Sequence, residues 1–339
     1  MKILVTGGCG FIGSSLIKLL LKNKNNLVLN IDRCSKYSVP ESLNTINKKN
    51  YKLYKFDICN YNKLKKIIFN FKPNKIIHLA AESHVDRSIK NPLNFINSNI
   101  LGTYNLLRVF NEYIKIKKKY NKSVLLHVST DEVYGSLNKY QKPFDEKSNY
   151  APNSPYSASK ASSDFLARSW RITYNLPIII THCSNNYGPW QHPEKLIPLT
   201  IYKAYHNQKI PVYGNGKNIR DWIYVEDHVR ALTLIMNKGK IGQVYNIGAK
   251  KELKNIIIIK KICEILDKKI PKKKKHYSLI KFVKDRPGHD FRYSLNIKKI
   301  EKEFKFKPNN KFNINLENTV GWYLKNITWL KNTYKLSNK

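Results

Sequence analysis

Tyr156-Ser-Ala-Ser-Lys160 puts a phenol and an ammonium at i and i+4, on one face of a helix. There the cation can stabilise a phenolate, a base suited to alcohol oxidation. Upstream, Ser129-Thr-Asp-Glu-Val-Tyr134 offers the Thr130 hydroxyl and two adjacent carboxyls, Asp131 and Glu132. A tyrosine base for redox chemistry beside a carboxyl pair able to eliminate water points past a plain dehydrogenase to an internal redox dehydration. A phenol has an ordinary pKa of about 10, so bringing it to work near neutrality takes about 4 kcal/mol of electrostatics. Lys160 and the positive nicotinamide ring are the expected sources. Adjacent carboxyls divide into acid and base only where their surroundings separate their pKa values. The bland alternatives are a polar cap for Asp131 and a surface helix for Tyr156 and Lys160. The joint presence of Thr130, Pro155 and both pairs favours catalysis.

A cofactor site stands at the N-terminus. The apolar run Lys2–Thr6 reads as a buried strand. Gly7-Gly-Cys-Gly10-Phe-Ile-Gly13 follows directly and leads into a helical stretch, Ser14 to Lys22. Glycines at this spacing allow a tight strand-to-helix turn and let backbone amides approach a pyrophosphate. A second apolar run, Leu27 to Ile31, ends in Asp32, whose carboxylate is placed to accept both ribose hydroxyls of NAD.

These residues need a scaffold. Apolar strand candidates recur at 2–6, 27–31, 51–56, 75–79, 124–128 and 177–181, with helical segments between them. That alternation implies βαβ units: an α/β chain with a Rossmann-type doubly wound parallel sheet. Asp57 and Ile58 follow the third strand, where they can border adenine. Leu79, Ala80 and Ala81 follow the fourth, small enough to admit a cofactor. Beyond Tyr187 the pattern breaks into segments punctuated by Pro and Gly. Residues 1–186 plus 223–249 are expected to form the NAD-binding part. Residues 187–222 plus 250–339 are expected to form a smaller α+β nucleotide-sugar lobe.

The chain resembles the extended short-chain dehydrogenase/reductases and, within them, the dTDP-glucose 4,6-dehydratase branch. The resemblance rests on the Gly7–Gly13 turn, His78-Leu-Ala-Ala-Glu-Ser-His-Val-Asp-Arg-Ser88 and Ser129–Gly135. It continues through Tyr150–Asp164, Cys183-Ser-Asn-Asn-Tyr-Gly-Pro189, Pro193–Pro198, Arg220–His228 and Asp285-Arg-Pro-Gly-His-Asp290. The resemblance implies that Tyr156 takes the sugar C4 hydroxyl proton, with Thr130 bonded to the C4 oxygen. It implies that Glu132 removes the C5 proton and that Asp131 protonates the departing C6 hydroxyl. It extends the cofactor contacts to Phe11, Ile12, Arg33, Ser35, Ser83, Ser98 and Asn186. It places Ser83, Asn185, Lys195, Leu196, Pro211, Tyr213, Arg220, Asn255, Asp285, Arg286 and His289 near the nucleotide sugar. Guanidinium forks on Arg220 and Arg286 suit pyrophosphate oxygens. After Asp32 the family usually runs Lys-Leu-Thr-Tyr-Ala-Gly-Asn, whereas this chain has Arg33-Cys-Ser-Lys-Tyr-Ser-Val39. Ser35 keeps a hydroxyl there, and Arg33 leaves an opening for NADP.

Composition bounds the remaining possibilities. No run of 18 apolar residues is present, and the start lacks the organisation of a secretory signal. The five cysteines are scattered without a C-x-x-C spacing, so no metal and a reducing cytoplasm are expected. The net charge of +39 raises nucleic-acid binding as a reading. The lysines are diffuse, and the runs at Lys115–Lys119 and Lys272–Lys275 have no interleaved aromatics, as a single-strand binder would want. Solvated surface is the stronger reading, with a field that can still attract an anionic nucleotide sugar. A 4-epimerase or decarboxylase would need Tyr156 and Lys160 but not Asp131 and Glu132. A silent dinucleotide sensor would need none of the five. UDP-glucose is the alternative substrate. The stretches 100–116 and 156–174 are expected to pair two subunits as a four-helix bundle, with Leu101, Leu106, Leu107, Phe110, Phe165, Leu166 and Trp170 available for burial.

Overall fold

The structure is a computed structural model and describes residues 1–117, 123–309 and 311–337. Lys118 and Lys119 of the first basic run lie outside the described residues. The chain begins β1 (Lys2–Thr6), α1 (Phe11–Leu21), β2 (Leu27–Asp32), β3 (Tyr51–Lys55), α2 (Tyr61–Phe71), β4 (Lys75–His78). It continues α3 (Val85–Lys90), α4 (Pro92–Phe95), α5 (Gly102–Lys117), β5 (Val124–Thr130), α6 (Pro155–Thr173), β6 (Ile178–Cys183), β7 (Asn185–Tyr187). Then come α7 (Leu196–Tyr205), β8 (Ile210–Tyr213), β9 (Ile219–Tyr224), α8 (Val225–Lys238), β10 (Val244–Ile247), β11 (Glu252–Lys254) and α9 (Asn255–Lys269). The chain closes with β12 (Ile280–Val283), α10 (Lys298–Phe304), α11 (Phe312–Lys325) and α12 (Ile327–Ser337).

Seven strands form one sheet in the order β10-β6-β5-β4-β1-β2-β3, with every neighbouring pair parallel. The inner strands read as near-continuous Ile, Leu and Val because helices cover both faces. On one face Leu16 and Ile17 of α1 pack with Leu232 and Ile235 of α8. On the other, Leu64 and Ile68 of α2 meet Leu106, Leu107 and Phe110 of α5. The expected availability of those last three residues for subunit pairing is therefore corrected: they are at most 1% exposed and belong to the subunit's own core. Residues 295–306 also differ from expectation. Leu295, Ile297, Ile300 and Phe306 pack into the core of the large sheet rather than with the second lobe.

The strand order reverses between β1 and β4, which opens a crevice at their carboxyl ends. Gly7 sits there at φ +76°, and an added Cβ would lie 2.5 Å from the Ala80 nitrogen. Only glycine lets the first turn and the strand-four turn approach this closely. β5 and β6 each run two residues further than the sequence pattern indicates, carrying Thr130 and Cys183 to the crevice. Before α5 the chain makes a π-helical stretch, Ile96–Leu101, that the sequence pattern does not show. There Asn99 bonds both the amide and the carbonyl of Glu82 and donates to Ser159 Oγ.

The second lobe has its own core of Tyr187, Ile201, Trp222, Ile258, Leu316 and Tyr323. It holds a β11-β9-β7 sheet and a parallel β8-β12 pair, an α+β arrangement. Residues 225–247 return to the large sheet through α8 and β10.

Candidate active site

The crevice opens into a cleft of about 310 Å³, within the range of small-molecule sites. Gly7, Gly10, Phe11, Ile12 and Gly13 line one end with Asp32, Arg33 and Ser35. Asp57, Ile58, Leu79, Ala80, Ala81, Ser83 and Ser98 line the wall, and Asn185, Asn186 and Lys195 the far side. Asp32 is buried, with its two carboxylate oxygens accepting from the Cys9 amide at 2.8 Å and the Cys34 amide at 2.7 Å. Burial raises its pKa, and those two amides oppose the rise. A carboxylate so oriented at the cleft wall fits a ribose diol. Arg33 pairs with Asp57 at 3.4 Å and with Glu82, so its guanidinium is committed to carboxylates rather than free for a ribose phosphate.

The divergent loop after Asp32 folds over this end of the cleft, with Tyr37 and Ser38 in its lining. Three contacts pin it. Arg33 joins Glu82, the Arg87 guanidinium lies 3.5 Å from the Tyr37 ring centre, and Tyr37 meets His192 edge-on. The loop's own sequence shows none of these partners. Glu82 and Arg87 come from the 78–88 motif, and His192 stands just ahead of the one at 193–198.

The catalytic candidates converge at the cleft's middle. Ser154 caps α6 with a reciprocal bond to Ser157, and Pro155 occupies the first turn. Such a cap is worth about 1 kcal/mol and fixes where Tyr156 and Lys160 point. Both are buried. Lys160 Nζ donates to the Val128 carbonyl at 3.0 Å. The Thr130 hydroxyl donates to Asp131 Oδ1 at 3.3 Å and acts on the nearby Tyr156 phenol to lower its pKa. Burial first, and Glu132 second, hold the Tyr156 pKa well above the phenol's ordinary value. Burial acts on Lys160 as well and lowers its pKa.

The carboxyl pair is split by its surroundings. Asp131 is buried beside Glu132, and both effects push its pKa well above the ordinary carboxyl value. Its Oδ2 has no hydrogen-bond partner, as suits a proton held ready for donation. Burial raises Glu132 also, but Arg286, Lys195 and Arg220 oppose that rise. The environment thus raises Asp131 further than Glu132 and favours Asp131 as the holder of the proton.

The remaining sugar-nucleotide candidates form a second group. Tyr213 Oη donates to Asp86 Oδ2 at 2.9 Å, and its ring meets His289 edge-on. His289 bonds Asp285 at 2.6 Å. Arg286 lies 3.7 Å from Asp86, and its buried Nε has no partner. Lys195, just ahead of α7 and Leu196, donates to the Ser83 carbonyl at 2.7 Å. Pro211 lies on β8, and Asn255 opens α9 with an unpartnered Oδ1. Leu196, Pro211, Tyr213, Arg220, Asn255, Asp285, Arg286 and His289 lie outside the lining of the cofactor cleft. Arg220 differs most from expectation. Its guanidinium donates to the carbonyls of Ile219, Asp290 and Phe291 and stacks 4.1 Å from the Tyr293 ring. Its fork is spent on the chain itself, and it acts on the carboxyl pair through its charge.

Sequence reasoning missed Tyr293, which donates to Asp290 at 2.5 Å and lies 3.4 Å from Glu132 Oε2. No local signal marks it. It also missed Asp164, a buried carboxylate bonded to His127, His182, Ser129 and Tyr150 beneath the β5 end. Cys9, Asp32 and Cys34 bring their ligand atoms within 4.8 Å of one another, a cluster that sequence spacing could not show.

The model of the GDP-mannose 4,6 dehydratase family matches residues 4–319. The chain is 48% identical to a dTDP-glucose 4,6-dehydratase of Salmonella typhimurium, with 98% of this chain and 95% of that protein covered. The dTDP-glucose 4,6-dehydratase of Bacillus anthracis, solved with NAD, superposes with a TM-score of 0.87 at 40% identity, covering 98% and 99% of the two chains. That of Streptomyces venezuelae, solved with NAD and dTDP, gives 0.90 at 37% identity, covering 98% and 100%.

Proposed function

This chain belongs to the GDP-mannose 4,6 dehydratase family, and we propose that within it the chain acts as an NAD-dependent dTDP-glucose 4,6-dehydratase. The product is dTDP-4-keto-6-deoxyglucose, a precursor of deoxysugars such as rhamnose. The observation that carries this reading is the split carboxyl pair, Asp131 raised and Glu132 restrained by three cations, beside the buried Tyr156 and Lys160. An epimerase has no use for that pair.

Bound NAD supplies reversible two-electron acceptance, which oxidises C4 early in the turnover and reduces C6 at its end. Tyr156 Oη takes the C4 hydroxyl proton, and Thr130 holds the C4 oxygen. The resulting ketone acidifies C5, and Glu132 removes that proton. Asp131 protonates the departing C6 hydroxyl as water. Glu132 then returns its proton to C5. Tyr156 has gained one proton and Asp131 has lost one, so one proton must pass between them to reset the site. Thr130, bonded to Asp131 and acting on Tyr156, is assigned to that route.

Residues 1–186 plus 223–249 are taken as the NAD-binding part, joined by 295–306, which pack on the same sheet. The nucleotide diphosphate is assigned to Arg286, Lys195 and the Tyr213–His289 group. A cytoplasmic homodimer is part of the reading. Phe165, Ile172, Leu101 and Ile116 are exposed on α5, α6 and the stretch before α5, and supply an apolar face for a four-helix bundle. Among the described residues no helix is long and apolar enough to cross a membrane.

The decisive experiment uses dTDP-glucose deuterated at C4. Label recovered at C6 of a 4-keto product is expected. Label lost to solvent, or found at C4 with inverted configuration, would mean another reaction.

A further inference from the structure

Two cysteines and a carboxylate meet at the ribose end of the cleft. Cys9 sits in the glycine turn and is fully buried. Cys34 is two residues past Asp32, at φ +53°, in a left-handed conformation unusual for a side chain with a Cβ. Their sulfurs are 3.8 Å apart and both thiols are free. Asp32 lies between them, its two oxygens held by the amides of these same two residues. The Asn30 side-chain amide donates to Cys9 Sγ at 3.3 Å, the kind of outer bond that orients a sulfur ligand.

From this geometry we propose that Cys9, Cys34 and Asp32 form a three-ligand site for a thiophilic divalent cation such as zinc, overlapping the cofactor's ribose pocket. Zinc–sulfur bonds are about 2.3 Å, so two thiolates on a tetrahedral ion stand about 3.8 Å apart. The sulfurs already have that spacing, whereas a disulfide requires about 2.05 Å. The third ligand atom lies within 4.8 Å of both. Binding replaces two S–H bonds with two metal–sulfur bonds and releases two protons to solvent. The cation balances two thiolates and a carboxylate that would otherwise repel one another in a buried space. Of the three ligands Asp32 alone lines the cleft, so it is the one the site shares with the cofactor.

Occupation takes Asp32 away from the ribose, so the metal and the dinucleotide exclude one another. That exclusion rests on the proposed cofactor role of Asp32; metal binding itself does not. The site makes the enzyme sensitive to free zinc or cadmium at the entrance of its own cofactor.

The test titrates the full chain, reduced with a phosphine and kept anaerobic, with Co²⁺. The expected result is thiolate-to-cobalt charge-transfer absorption with tetrahedral d–d bands, and dinucleotide appearing in the filtrate as the bands grow. Cys34→Ser, which keeps the backbone amide to Asp32, should lose the charge-transfer band. Cys9→Ala should lose it as well, and Cys263→Ala, far off in the second lobe, should keep it. Circular dichroism confirms that each variant is folded. Absence of the band in the unaltered chain overturns the site, as does its survival in folded Cys34→Ser. A mass lower by two hydrogens, marking a Cys9–Cys34 disulfide instead of a metal adduct, overturns it too. A full band with the dinucleotide still bound retains the metal site and overturns the exclusion. A full band in a chain that never held dinucleotide retains the site and refutes the cofactor assignment.

Discussion

The Thr130 hydroxyl donates to Asp131 Oδ1 at 3.3 Å and also acts to lower the Tyr156 pKa, so it stands between the residue that loses a proton and the one that gains it. Thr130→Val keeps the shape and removes the link. A transition-state hydrogen bond of about 1.4 kcal/mol corresponds to about tenfold in rate. Turnover should fall at least that much, with KM little changed and a smaller solvent isotope effect. An unchanged kcat would remove Thr130 from the route.

Glu132→Gln should stop the reaction after C4 oxidation. General base contributions run to about 10²–10⁴-fold, so product formation should fall by about that factor. Reduced cofactor should still accumulate in stopped-flow absorbance at the start of turnover. Tyr156→Phe should abolish that signal as well. Normal turnover by Glu132→Gln would show the role to be misassigned.

Activity should fall on the alkaline side as Asp131 loses the proton it donates. Burial and Glu132 raise its pKa, so the protonated form persists above the ordinary carboxyl range and is lost only as pH climbs through the raised value. Asp131→Asn should abolish dehydration at every pH. A kcat profile with no alkaline limb would contradict the assignment.

Asp164 makes an opposite case. His127 and His182 hold its pKa below the ordinary value, against the effect of burial. Its stabilising contribution is fully present above the unfolded carboxyl pKa and disappears as pH falls through the depressed folded value. Asp164→Asn should cost about 1.5–3 kcal/mol, the range for hydrogen bonds to a charged group. Urea midpoints measured from neutral to acid pH should show that cost shrinking with acidification. A constant difference would mean that the charge is not the source.

Phe165 is 57% exposed on α6. If α5 and α6 pair two subunits as proposed, Phe165→Asp should give a monomer in light scattering at micromolar concentration where the unaltered chain gives a dimer. A wild-type chain that is already monomeric would refute the four-helix interface.

Discrimination between dTDP-glucose and UDP-glucose turns on a base methyl and a ribose hydroxyl. A methyl in an apolar pocket is worth about 1–3 kcal/mol, so kcat/KM should favour dTDP-glucose by roughly tenfold or more. Equal use of UDP-glucose would change the substrate and leave the chemistry intact.

The strands were legible because each is a short apolar run between turn residues, and the glycine turn was legible because close approach demands those residues. Tyr156, Lys160 and the Asp131–Glu132 pair were legible from helix spacing and adjacency. What stayed hidden was set by contacts across long sequence separation. The commitment of Arg220 to the carbonyls at 290–291 depends on a chain crossing 70 residues away. Tyr293 reaches Glu132 across 161 residues. The π-helical stretch at 96–101 exists to bring Asn99 to Glu82, and nothing in its own composition announces that. Helix spacing shows Lys160 beside Tyr156 but not the burial and the Glu132 carboxylate that raise the phenol's pKa.

The pinned loop after Asp32 has a metabolic consequence. Arg33, Tyr37 and their partners Glu82, Arg87 and His192 all line the cleft and tie the loop down at its cofactor end. An enzyme that restores its own oxidant each cycle gains nothing from exchange, and a loop tied down at the cofactor is expected to slow it. Flux through such an enzyme does not follow the cell's ratio of oxidised to reduced dinucleotide.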